Sequence, residues 1–156
     1  MKDQSVMVME EGVAPLIREF YQQQEERVHS YRLLEEGHKI YLSTGPNYDF
    51  PTFRQLVHDV TQDFKRVSEG IITLEKRMRT DGHVAPANLV AKLQDAEKRK
   101  LELTVHLQLS RQMAAENEGG ELEEAKVREV RGELGKVVEN INDHLADLRY
   151  HLHTGE

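Results

Sequence analysis

The sequence predicts an all-α protein: two long antiparallel helical hairpins forming an elongated four-helix bundle or coiled-coil-like rod. Three observations carry this expectation. Phe53, Val57, Val60, Phe64, Val67, Ile71, Leu74 and Met78 follow one another at alternating steps of four and three, which is the a/d seam of a helix packed lengthwise against other helices. Strand signals are nearly absent: the 156 residues contain no Trp and no alternating run of β-branched residues bounded by turn residues. Breaks at Gly45-Pro46, Asp81-Gly82 and Gly119-Gly120 separate four helical stretches, and short connections place consecutive helices antiparallel.

Residues 1–12 read as a flexible tail. The first helix spans about residues 14–42, with a seam of Ile17, Phe20, Gln24, Arg27 or Val28, Tyr31, Leu34, His38 and Tyr41. Gly45-Pro46 ends it, because neither residue continues a helix well. Asp49 is placed to cap the second helix, with Pro51 in the first turn where its missing N–H costs nothing. That helix carries the 53–78 repeat and stops near Asp81-Gly82. Pro86 heads the third helix, whose stripe of Leu89, Leu93, Ala96, Lys100, Leu103, Leu107 and Ala114 is ragged, with Val90, Leu101, Leu109 and Met113 beside it. The flexible Gly119-Gly120 pair interrupts the chain. A fourth helix follows over about 121–152; Glu121, Glu123 and Glu124 complement the positive end of its dipole, and its seam is Val127, Val130, Leu134, Val137, Ile141, Leu145, Leu148 and Leu152. The hairpins 14–81 and 86–152 then make one helical domain, 13–152, with a frayed end at 153–156.

Composition narrows the function classes. The chain has no cysteine, so disulfide frameworks and thiolate zinc sites are excluded. No apolar run approaches a membrane span, and the N-terminus lacks the pattern of a secretory signal. The expectation is an intracellular protein, in nucleus or cytoplasm. The formal net charge is −7, with the acidic excess in residues 1–50 and 119–156. A phosphate-backbone binder shows a basic footprint. Here the one dense basic run, Lys98-Arg99-Lys100, is flanked by Glu97 and Glu102. Basic residues of the second helix are interleaved with acids and lack an aromatic stacking platform. Tight direct binding to nucleic acid is not expected.

Catalytic and metal chemistry find little support. His144, Asp147 and His151 share a helical face, but zinc needs three or four ligands in fixed geometry, and a solvated face accounts for them. The Glu pairs 25–26, 35–36 and 123–124 solvate helices rather than form a desolvated acid/base dyad. Phosphate-loop, nucleophile-elbow and kinase signatures are all missing. The protein is read as a non-enzyme without cofactor or metal. Gly37 and Gly70 fall inside helices, each at about 1 kcal/mol relative to Ala, and mark close approach of a neighbouring helix, a local bend or a notch for a partner. Arg27-Val28-x-x-Tyr31 is richer than a plain seam; Arg27 suits a salt bridge to Glu on its own helix, a brace for the loop, or plain surface charge.

The motif Glu26-Arg27-Val28-x-x-Tyr31-x-x-Leu34-Glu35-x-Gly37, continued through Tyr41-Leu42, Tyr48 and Thr61-x-x-Phe64-x-x-x-Ser68-x-x-Ile71, resembles the domain family called Required for Excision, B type. The resemblance covers residues 25–79 and implies a role in DNA excision repair, with no catalytic residues to carry over. With the acidic balance, it points to an accessory protein acting through helical protein–protein contacts, a repair complex or a second copy of the chain being the partner classes. The alternative is a coiled-coil adaptor or scaffold subunit unrelated to repair. The end of the first hairpin, residues 37–51, is the expected partner-binding surface, through Gly37, Tyr41, Tyr48 and Phe50, since packing along the seams leaves the loop Tyr48 unexplained.

Overall fold

The structure, a computed structural model, describes residues 12–117 and 119–154. Four helices follow in order: α1 Ala14–Ser43, α2 Phe50–Thr80, α3 Val84–Glu116 and α4 Glu121–Thr154. They form an up-down four-helix bundle in which α1 lies beside α2 and α4, and α3 beside α2 and α4. With 30 to 34 residues per helix, the bundle is a rod roughly 45–50 Å long at 1.5 Å per residue. The expected flexible tail lies, apart from Gly12, outside the described residues, as do positions 155–156 of the expected frayed end.

Local chemistry sets the boundaries. The Asp49 side chain accepts from the Thr52 N–H at 3.4 Å, and Pro51 occupies the first turn of α2. At the other end of α2, Gly82 adopts φ +84°, and the His83 N–H reaches back to the Met78 carbonyl at 2.8 Å, the bond pattern of a Schellman C-cap. α3 begins two residues before Pro86, which still falls in the first turn, where no intrahelical donor is lost.

The principal core lies at the α2–α3 turn end, where Val13, Ile17, Phe20, Val67, Ile71, Met78, Val90, Leu93, Ile141 and Leu148 pack together. The α2 seam is buried from Val60 through Phe64, Val67, Ile71, Leu74 and Met78, whereas Phe53 and Val57 are half-buried. On α1 the seam runs through Arg27, and Val28 faces solvent. The expected stripe of α3 faces inward: Leu93, Ala96, Leu103 and Leu107 are buried and Leu89, Lys100 and Ala114 half-buried, while Leu109 and Met113, beside the stripe, are exposed. The buried face is wider than the stripe and adds Pro86, Ala87, Val90, Glu97, Gln108 and Ser110. The reason is that α3 serves three neighbours and buries polar residues among them, so no single apolar row marks its inner face. On α4, Val130, Ile141 and Leu148 are buried and the other seam residues half-buried. Among the described residues, no helix is long and apolar enough to cross a membrane.

Candidate protein-docking site

The site is built where the first hairpin closes. Tyr41, 5 % exposed, stacks on Phe53 with ring centroids 4.6 Å apart and an 18° interplanar angle; the Tyr48 ring centroid lies 5.2 Å from that of Tyr41. The Tyr48 ring folds back over Gly45, where a Cβ would come within 2.9 Å of it. The loop itself is pinned: the Asp49 N–H donates to Thr44 Oγ1 at 2.9 Å. Within α1, Gly37 lets α2 approach so closely that a Cβ there would overlap Leu56 Cδ2. Gly37 and Tyr41 therefore serve as framework, Tyr48 is half-buried over it, and Phe50 is exposed with the Arg54 guanidinium 5.9 Å from its centroid.

Several large apolar side chains collect at this same end. Ile40, Phe50, Leu109, Met113 and Leu122 are all more than half exposed. Between α2 and α3 an apolar groove of about 290 Å³ opens, with Phe53, Val57, Leu101, Val105 and Leu109 among its walls and His38 beneath. The α3 contribution escaped sequence reasoning. Its signal was Leu101, Val105 and Leu109, a second apolar row at i, i+4 and i+8 beside the main stripe.

His38 is 2 % exposed, and its Nδ1 has no hydrogen-bond partner among the described residues. Burial, reinforced by the nearby Arg111 cation and opposed by the Gln108 backbone, holds its pKa below the ordinary imidazole value. The unfolded chain then binds the proton more tightly, so His38 contributes stability that is present above its unfolded pKa and diminishes as pH falls toward the folded one. Melting curves between pH 7 and pH 5 should show a smaller acid-induced loss for His38→Gln than for the wild type. Equal losses would mean that His38 is solvated in the folded protein.

A buried polar layer lies in the middle of the rod, below the groove. Gln24 Nε2 donates to Glu97 Oε1 at 2.8 Å. Arg27 donates to Gln24 Oε1 at 3.1 Å and to Gln94 Oε1 at 2.7 Å, and Gln94 Nε2 donates to Ser68 Oγ at 3.3 Å. The chain of bonds thus links α1, α2 and α3. Arg27 braces α3 across the bundle, rather than a Glu of its own helix or the loop. Burial lowers the Arg27 pKa, while the Glu97 carboxylate opposes that shift. Tyr31 hydrogen-bonds the Glu97 carbonyl at 3.3 Å and packs on Phe64 at 4.6 Å; its phenol is pushed far up by burial and then by the Glu97 charge. Glu97 Oε2 has no hydrogen-bond partner among the described residues. His144, Asp147 and His151 sit on α4, and among the described residues no group of three His, Cys, Asp or Glu side chains is arranged to hold a metal ion.

A family model described as DNA repair REX1-B matches residues 15–111. The chain belongs to the REX1-B family. It is 34 % identical over 146 residues to the Required for excision 1-B domain-containing protein of Bos taurus, covering 92 % of this chain and 79 % of that protein. The protein of the same name from Mus musculus is 30 % identical over 146 residues, with 92 % and 83 % covered. No solved structure matches. The REX1-B match extends well beyond residues 25–79 and includes the aromatic cluster, both walls of the groove and every member of the polar layer. Alignment over 92 % of the chain also takes in most of α4, so the second hairpin is shared with the relatives and not an addition to the family pattern.

Proposed function

We propose that the protein is a non-enzymatic accessory factor of DNA excision repair that works through helical protein–protein contacts, with the loop end of the first hairpin as its working surface. The family is named for DNA repair. The observation that carries the reading is the excess of exposed apolar side chains at the loop end of the rod, Ile40, Phe50, Leu109, Met113 and Leu122, against Val84 and Tyr150 at the end that holds the principal core. Exposed apolar clusters of this kind mark interaction surfaces, and Tyr48 beside them has the large area and polar tip of a binding hot spot.

The test is survival after ultraviolet irradiation in cells lacking the protein. Wild type is expected to restore it, and Tyr48→Ala to restore it poorly while melting within a few degrees of wild type. Full rescue by Tyr48→Ala, or its unfolding, would remove Tyr48 from the recognition surface. Unchanged survival of the cells without the protein would remove the repair role.

The net charge of −7 leads to a companion expectation. Fluorescence anisotropy with labelled undamaged duplex DNA at physiological salt should give no sub-micromolar binding. Tight binding with a steep salt dependence would instead make the protein a direct DNA contact.

A further inference from the structure

We propose that the furrow between α2 and α3 is the seat of an acidic amphipathic helix from a partner protein, an inference that rests on the accessory-protein reading and names its partner's chemistry. The apolar groove continues into a second hollow of about 430 Å³, because both are lined by Thr61, Phe64 and Leu101. Together they run along α3 from Gln94 to Gln112, a length of roughly 27 Å at 1.5 Å per residue. A helix of about five turns is the secondary structure that fills such a trough, laying an apolar face of i, i+4, i+7 anchors into it.

The walls state what that helix carries. Toward the loops they are Phe53, Val57, Val105 and Leu109, with Val105 and Leu109 each 54 % exposed. The polar half of the furrow carries Lys65 and Lys98, neither of which makes an ion pair among the described residues. Asp95 and the buried Glu97 are the opposing charges there, and Glu97 is already bonded by Gln24 and offset by the nearby Arg27. His38 Nδ1, unpartnered and buried beneath the apolar half, adds a polar group at the floor. Apolar anchors flanked by Glu or Asp satisfy the walls and the two lysines together. A nucleic acid would leave the apolar walls uncovered.

Two synthetic twenty-residue helical peptides test the proposal. They share one leucine face and differ in carrying Glu or Lys on its flanks. Fluorescence anisotropy with the full chain should show the Glu peptide binding at least tenfold more tightly than the Lys peptide. Leu109→Asp, at an exposed position, should weaken the Glu peptide at least tenfold, and Lys65→Glu with Lys98→Glu should reverse the preference. Far-UV circular dichroism checks both variants, and the charge pair remains decisive if Leu109→Asp unfolds. No binding, equal binding of the two peptides, or indifference to these substitutions overturns the proposal. So does a wild-type dimer in sedimentation that Leu109→Asp separates, since a second copy would then occupy the furrow. Peptide binding without any effect of the protein on ultraviolet survival would overturn the repair role and leave the furrow assignment standing; rescue of survival without peptide binding would do the reverse.

Discussion

Ile71→Asp is expected to abolish the cooperative thermal unfolding transition. Ile71 has no solvent exposure and packs at the heart of the principal core with Phe20, Val67, Leu74, Val90 and Ile141. Losing the apolar side chain costs about 2–5 kcal/mol. The new carboxylate adds several more, because the cluster around it is apolar. The total is comparable with the whole stability of an ordinary domain, about 5–15 kcal/mol. Phe64→Asp at the same seam should be milder, about 3 kcal/mol, because Phe64 borders the furrow and a carboxylate there can turn toward solvent. Circular dichroism melts and urea titrations of the two variants check the ranking. An Ile71→Asp protein that melts like wild type would mean that α2 packs in another register.

The second large effect is in the polar layer. Arg27→Met should destabilise by about 3–5 kcal/mol, because Glu97 would keep a buried charge without its compensating cation. Gln94 Oε1 would also lose its 2.7 Å donor. Glu97→Leu alone should be costly for the complementary reason, as the buried Arg27 guanidinium would keep its charge without the carboxylate nearby. The double variant should recover much of the combined loss, giving a coupling of about 1–3 kcal/mol. Strictly additive losses in urea denaturation would show that the two groups do not sense each other. The layer explains why the bundle has one alignment. Apolar seams with a seven-residue repeat can slide past one another by a heptad, whereas the bonds from Glu97 through Gln24, Arg27 and Gln94 to Ser68 form in one axial position only.

These two regions also show what sequence periodicity can and cannot reveal. The 53–78 repeat and the α1 seam were readable because each of those faces meets its neighbours along one continuous stripe. Even Gln24 and His38 could be placed inward by position alone. α3 was not readable in the same way, because its inner surface is shared among three helices and includes Glu97, Gln108 and Ser110. The partners of Arg27 were hidden for a related reason. Gln94 lies 67 residues away and carries no local mark of its role. The closing of the first hairpin was legible in its cap, Asp49, but the folding of Tyr48 onto Gly45 depends on contacts that spacing does not encode. The groove likewise lies between α2 and α3, and neither helix records it by itself.

The up-down path brings Ala14 of α1 and Thr154 of α4 to one end of the rod, and both interhelical loops of the hairpins to the other. A fluorophore attached at Ala14 or Thr154 therefore sits roughly 45 Å, thirty residues of helix, from the exposed apolar end. Labelling there leaves that end free. Energy transfer between such a dye and one on a bound partner would report which end of the molecule the partner has chosen.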